Sequence, residues 1–221
     1  MNSCSLLGRA TALSALLALG ALGPMRAATV GFDDLKAGQP PAGWTCTQTG
    51  SGTARWRIEA DPTAPSKPNV LCQSREAAFP VCVKDEARLK DGFVEVKFKA
   101  ISGKEDQAGG LVWRYRDANN YYICRANALE NNVVLYKIEN RRRRALDIVG
   151  RTGGYGVKEP VAAEQWHALR VEFTGTRFKV FFNGKALFEV EDATFSEPGL
   201  VGVWTKADSV TRFDDFAFGA R

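Results

Sequence analysis

The stretch Gly109–Lys137, GGLVWRYRDANNYYICRANALENNVVLYK, decides the fold. It reads as three short strands joined by two polar turns. Asp117-Ala118-Asn119-Asn120 is the first turn, because Asp and Asn side chains bond their own backbone and tolerate left-handed conformations. Tyr121 to Asn127 returns, Leu129 to Asn132 turns again, and Val133 to Ile138 runs out a third time. Simple alternation puts Leu111, Trp113 and Tyr115 on one face of the first strand, and Val112, Arg114 and Arg116 on the other. The pattern is an antiparallel meander.

Outward from this meander the chain repeats the same grammar. Gly92–Ile101 alternates Phe93, Glu95, Lys97 and Lys99 against Val94, Val96, Phe98 and Ala100. In Gln165–Val190, Leu169, Val171 and Phe173 alternate, Gly175 turns, and Phe178, Val180 and Phe182 alternate again before the two-residue turn Asn183-Gly184. Thr29–Leu35, Trp44–Thr49, Arg55–Ala60, Val70–Gln73, Phe79–Val83, Gly199–Trp204 and Ser209–Phe218 complete the strands. Charged Lys84–Asp91 reads as room for a helical turn. No segment sustains a period of 3.6 residues. Many short strands with Gly, Pro, Asn and Asp turns predict an all-β, two-sheet antiparallel sandwich, with a closed barrel as the competitor.

The chain has 221 residues and a formal charge of +5. Residues 1–27 read as a secretory signal: Arg9, then an apolar run from Ala10 to Gly23, then Pro24-Met25-Arg26-Ala27. Residues 28–221 are then one domain, exported to the periplasm or the cell exterior, with no membrane insertion after cleavage. Removing residues 1–27 takes away Arg9 and Arg26 and no acid, which lowers the charge to +3. So mild a balance points to no nucleic-acid partner. The one concentrated run, Arg141–Arg144, reads as a solvated hairpin tip that could grip phosphate, sulfate or an acidic glycan.

Cys46, Cys72, Cys82 and Cys124 remain in the exported part, and three disulfide pairings are open. Pairing 72–82 with 46–124 is the expectation, from a supposed hairpin between Cys72 and Cys82. With His167 as the one histidine, read as a surface residue, a mixed-ligand zinc site is excluded.

Trp166, Leu169, Val171, Gly175, Phe178, Val180 and Asn183-Gly184 resemble the concanavalin A-like lectin and glucanase superfamily, laminin G-like domains included. The meander, with Pro62-Thr63-Ala64-Pro65 and Gly202–Ser209 (GVWTKADS), looks like exported bacterial proteins close to the 3-keto-disaccharide hydrolase-type domains. The resemblance covers roughly Val30 to Phe218. It implies a jelly-roll sandwich whose concave sheet carries a carbohydrate site. The retaining glucanases of that fold place two glutamates and an aspartate along one strand; Glu189-Val190-Glu191-Asp192 lacks that order and reads as an exposed strand edge.

The candidate binding set lies in the meander. Tyr121, Arg125 and Asn127 share one face of their strand, Arg114 and Arg116 one face of the preceding strand, and Lys137 projects with Glu139 from the next. On a common side they would offer cations, an amide and a phenol to a sugar, with Trp204, Lys206 and Asp208 as a wall. Phe32-Asp33-Asp34 and Phe213-Asp214-Asp215 echo each other near the two ends. Their oxygens, if the first and last strands pair, would suit a structural Ca²⁺; no other cofactor is expected. The sequence thus points to an exported carbohydrate-interacting module without catalysis. Two alternatives accompany it: a glycosidase-like hydrolase of the 3-keto-disaccharide hydrolase type acting through Glu130 or Asp117, and a protein-interaction or scaffold domain that uses the arginine run.

Overall fold

The computed structural model describes Met1 and residues 27–221. The export signal expected over residues 1–27 falls almost wholly outside the described residues. Sixteen strands and no helix occur among them: β1 (Ala28–Val30), β2 (Trp44–Gly52), β3 (Trp56–Ala60), β4 (Asn69–Gln73), β5 (Ala77–Leu89), β6 (Gly92–Ser102), β7 (Ala108–Asp117), β8 (Asn120–Asn127), β9 (Asn132–Glu139), β10 (Arg142–Ala145), β11 (Val157–Lys158), β12 (His167–Thr174), β13 (Arg177–Phe182), β14 (Lys185–Glu191), β15 (Gly199–Trp204) and β16 (Val210–Ala220).

They form two antiparallel sheets. The back sheet runs β14-β13-β12-β6-β16-β4-β3, with β1 on β16; the front sheet runs β10-β9-β8-β7-β15-β5-β2, with β11 on β9. The sandwich expected from period-two alternation is present, and β7, β8 and β9 are the meander. Between the sheets lies a core that includes Val94, Val96 and Phe98 from β6, Leu111 and Trp113 from β7, Tyr122, Cys124 and Ala126 from β8, and Phe173, Phe178 and Val180. Each fully buried Val, Leu or Phe contributes about 1.5–3 kcal/mol, so these inward residues hold the layers together. Gly109 belongs to the same seam: a Cβ there would lie 2.1 Å from the Phe98 ring.

The outer face of the front sheet is closed over a second core of Val81, Val83, Ala108, Val112, Tyr115, Tyr121, Ile123, Ile138 and Trp204. Strong curling makes this possible. Arg143 of β10 lies 5.1 Å over the ring of Phe79 of β5. Five strand spacings separate β10 from β5 in the sheet, about 24 Å if it were flat. Thr49 of β2 likewise reaches the Tyr121 hydroxyl at 2.7 Å. The sheet wraps around its own side chains.

Several expectations need correction. Register shifts between Trp113 and Asp117, where Arg114 takes φ 48°. A bulge there inserts a residue and exchanges the faces beyond it. Tyr115 therefore joins Val112 on the outer side, while Arg114 turns toward the sandwich. Lys84–Leu89 holds no helical turn; it continues β5, with Glu86 at φ 64°. The arginine run is mostly strand, since Arg142–Ala145 pairs with β9 and only Asn140-Arg141 turns.

Cys46 and Cys82 are register partners on β2 and β5 and form the disulfide. Cys72 on β4 and Cys124 on β8 are buried free thiols. The expected pairing fails because β4 and β5 lie in different sheets and form no hairpin, while Cys82 is set across from Cys46. His167 is not a surface residue: it is buried, bonded to the Ala162 carbonyl at 3.0 Å and stacked on Phe182.

Candidate functional site

Alternation along β8 and β9 sends Arg125, Asn127, Val134, Tyr136 and Ile138 to the outer face of the front sheet, opposite Cys124, Ala126, Val133 and Leu135 in the core between the sheets. The curl brings β10, β5 and β15 to that same face. The result is a ladder in which aromatic rings and guanidinium groups alternate. Arg125 lies 5.7 Å from the rings of Tyr155 and Tyr136. Arg143 lies 4.6 Å from Tyr136 and 5.1 Å from Phe79, and Phe79 stacks on Trp204 at 5.8 Å. Guanidinium–ring contacts of this kind contribute about 0.5–2 kcal/mol each, more when desolvated. Three donors on this ladder, Arg125 Nε, Arg143 Nη1 and Trp204 Nε1, are buried without a hydrogen-bond acceptor.

At one end the ladder runs into a polar chain. Arg125 Nη2 donates to Glu130 Oε2 at 2.9 Å and to the hydroxyls of Tyr136 and Tyr155 at 3.0 Å each; Arg125 Nη1 donates to Asn132. Asn132 Nδ2 donates to Glu130 at 2.9 Å, and Asn127 Nδ2 donates to both Glu130 and Asp106. Lys206 closes the chain on Asp106. Beside Lys206 a cavity of about 470 Å³ opens, lined in part by Phe79, Glu105, Lys206 and Ala207. Arg125 itself is fully buried, whereas Tyr155 is 47% exposed and the Glu130 side chain 36%. The site therefore has a fixed floor and an open rim.

Electrostatics follow from this placement. Burial works against the Arg125 cation, but Tyr136, Glu130 and Tyr155 outweigh it and raise its pKa. Burial would raise the Glu130 carboxyl, yet Asn132 and Arg125 bond the anion and bring it below its ordinary value. Asp106 and Glu130 share Asn127, so the two carboxylates lie within about 6 Å of each other, close to the separations of glycosidase pairs. Asp106 is only 1% exposed and tied to Lys206. Glu130 lacks the raised pKa of a general acid. The arrangement sets amides, a phenol and aromatic rings beside an ionised carboxylate at the rim.

The structure distributes the sequence candidates unevenly. Tyr121, Arg125, Asn127 and Trp204 share the outer face, with Lys206 at its end, but Tyr121 sits in the second core beneath Thr49. Arg114 and Lys137 do not share it. Arg114 is buried as a clamp: it donates to the carbonyls of Lys90, Phe195 and Gly175 and to Asp91. Lys137 turns the other way, to Asp192 at 3.0 Å and to Thr194. Arg116 is exposed, 5.0 Å over Phe195. The expected floor of three cations is replaced by one buried arginine and a second that arrives from β10. Asp208 bonds the backbone amides of Lys104, Glu105 and Asp106. Asp117 caps its turn through Asn119 N at 2.7 Å. On edge strand β14, Glu189 and Glu191 pair with Lys179 and Arg177.

Tyr155, Tyr136, Phe79, Asn132 and Asp106 join the site without being legible as site residues in the sequence, and Arg143 enters it from the arginine run. Tyr155 had one signal, as a lone aromatic in a Gly-rich loop with no strand pattern to bury it. The pair β1–β16 forms as the terminal echo required. The aspartates do not gather into a ligand set: Asp33 accepts from Asn69 N, Asp214 from Ser66, and Asp215 pairs with Lys97 at 2.8 Å. Among the described residues no group of three or more His, Cys, Asp or Glu is placed to hold a metal ion.

No family model matches the sequence. A stretch of 91 residues is 29% identical to a levanase of Bacillus subtilis (strain 168); it covers 41% of this chain and 12% of that relative, so the match spans only a small part of the levanase. Among solved structures the chain is similar to the carbohydrate-binding module CBM66 of Bacillus subtilis, with a TM-score of 0.61 at 21% identity over 79% of this chain and 93% of that one. It is also similar to the cellulose-induced protein Cip1, at 0.57 and 11% over 84% and 95%. A prokaryotic β-1,3-1,4-glucanase (lichenase) derived from a mouse hindgut metagenome matches at 0.53 and 11% over 88% and 98%. The fold is the concanavalin A-like jelly roll.

Proposed function

We propose that this protein is an exported carbohydrate-binding module that holds a glycan at the Arg125–Tyr155 end of its front sheet and does not cleave it. The observation that carries this reading is the ladder Tyr155, Arg125, Tyr136, Arg143, Phe79 and Trp204, a rigid aromatic and guanidinium face whose rim, Tyr155, Glu130 and Phe79, reaches solvent. Sugar rings present axial C–H groups to aromatic faces and hydroxyls to fixed donors, so a rigid alternation of the two suits them. The likeness to a carbohydrate-binding module and to part of a levanase supports the same class and makes levan a first probe. Glu130 is engaged by Arg125, Asn132 and Asn127, and its neighbour Asp106 is buried against Lys206, which supports holding a ligand over attacking it. A disulfide between Cys46 and Cys82 supports an oxidising compartment outside the cytoplasm.

Affinity electrophoresis of residues 28–221 against levan and a glycan array tests the proposal. Retardation that Tyr155→Ala weakens, with no new reducing ends released from the bound glycan, is the expected result. Silence across neutral and acidic glycans overturns it in favour of a scaffold role. Release of reducing ends, abolished by Glu130→Gln, overturns it in favour of hydrolysis.

A further inference from the structure

The arginine run adjoins the candidate site but is not accounted for by it. β10 is the edge strand of the front sheet, and Arg143 is the one member whose side chain enters the ladder. Arg142 and Arg144 stand exposed beside it, and Arg141 occupies the turn at φ 70°. Among the described residues, none of the four arginines lies in a salt bridge, although fifteen such contacts occur elsewhere. Arg144 sits directly across from Lys137 in register, a like-charge pairing that destabilises a ladder. Charges on an edge strand guard against edge-to-edge pairing, but that purpose needs neither one sign nor four in succession. Half-buried Arg143, packed between the rings of Phe79 and Tyr136, anchors the strand so that its neighbours in the run are held in fixed positions. A groove of about 590 Å³ lined by Lys137, Glu139, Asn140 and Arg142–Arg144 lies along the hairpin.

We infer that the β9–β10 hairpin is an anion-binding rim of the glycan site, and that the ligand is an acidic polysaccharide bearing carboxylate or sulfate groups. This rests on the carbohydrate reading of the ladder and sharpens its substrate class. One sugar unit stacks beside Tyr155 and Tyr136. Arg142 and Arg144 project with Lys137 from the opposite side of β10 to Arg143, so the polymer crosses the free edge of this strand, and acidic substituents of the following units meet Arg142 and Arg144 there. Bidentate guanidinium contacts to carboxylate or sulfate give such a rim geometric selectivity that lysines would lack.

The test is affinity electrophoresis and titration calorimetry of residues 28–221 with polygalacturonate, chondroitin sulfate, neutral levan and duplex DNA, at low and at physiological salt. The expected result is preference for an acidic polysaccharide over levan, weakened on the order of tenfold between the two salts as exposed charges are screened. Arg142→Gln with Arg144→Gln should weaken that binding by on the order of tenfold, and Tyr155→Ala should weaken it as well. Binding of polygalacturonate shows that carboxylate suffices, whereas binding of chondroitin sulfate alone, which carries both groups, shows that sulfate is needed. Arg177→Gln with Lys179→Gln, exposed cations on the back sheet, serves as the charge-matched control and should change little. Levan binding without acidic binding overturns this inference and leaves the carbohydrate reading standing; no glycan binding at all removes both. Equal binding of DNA, equal loss in the control, or indifference to Tyr155→Ala would make the hairpin a generic polyanion patch and overturn the inference. Unchanged melting of each variant confirms that folding is not what is read.

Discussion

Arg125 and Glu130 stand 2.9 Å apart, the arginine wholly buried on β8 and the glutamate a third open to solvent in the following turn. The pair joins the floor of the site to its rim. Because Glu130 also accepts from Asn132 and Asn127, the charge on each partner is met from more than one side.

Breaking this pair should cost both stability and binding. Arg125→Ala leaves a cavity and strips Asn132, Tyr136 and partly open Glu130 of their donor, a loss of roughly 1–3 kcal/mol, read as a fall in the denaturation midpoint. Arg125→Lys keeps the charge but cannot reach Glu130, Asn132, Tyr136 and Tyr155 together, so it should bind levan or its acidic counterpart weakly while remaining folded. A fully stable Arg125→Ala variant with unchanged binding would remove Arg125 from the site.

Tyr155 tests the rim without the floor. The residue is 47% exposed and touches Arg125 and Tyr136 through its hydroxyl. Tyr155→Phe should preserve ring stacking and most affinity, whereas Tyr155→Ala should lose on the order of tenfold, the size of a stacking contact of about 1.4 kcal/mol. Calorimetry on both variants separates ring from hydroxyl.

Acid sensitivity should trace to the back sheet. Asp61 is buried and bonded to Lys99 at 2.6 Å, Arg212 at 3.0 Å and Thr63. Burial alone would raise its carboxyl, but these donors outweigh it and hold it well below the carboxylate range. A depressed folded-state pKa stabilises the fold fully above the unfolded value of about 3.9 and loses that stabilisation as pH falls toward the folded one. Urea unfolding between about pH 5 and 2 should therefore show declining stability in the native protein and a flatter profile in Asp61→Asn.

The cysteines make a prediction of counting. With Cys46 and Cys82 joined, residues 28–221 should show no reactive thiol when native and two when unfolded without reductant, since burial pushes the Cys72 thiol up to about 12 and raises that of Cys124 as well. Reduction of the disulfide should cost about 2–5 kcal/mol. Alkylation followed by mass analysis would report Cys72 and Cys124 as the labelled pair; any other pair contradicts the register of β2 on β5.

Gly109→Ala tests the seam between the layers. The new Cβ would strike the Phe98 ring, and overpacking of this kind costs about 1–3 kcal/mol. A melting temperature equal to that of the native chain would mean the two sheets are looser at β6 and β7 than the geometry implies.

The sequence alone determined the strands and the class. Period-two alternation in Gly92–Ile101 and Gln165–Val190, with Asn-Gly and Asx turns, is a local property: each side chain's neighbours in the chain fix whether it points up or down. That logic carried Tyr121, Arg125 and Asn127 to one face correctly, since β8 is regular. It failed at Arg114, because one extra residue in a bulge reverses every later side chain and nothing in WRYRD announces it. Tertiary structure decided the site itself. Arg143 and Phe79 stand 64 residues apart and meet only because the front sheet curls, and Tyr155 reaches Arg125 from a loop with no periodicity to read. Cys46 and Cys82 likewise pair through register between distant strands. Sheet curvature and long-range register arise from packing summed over many strands, so no single stretch of sequence encodes which of its polar residues will share a face with those of another.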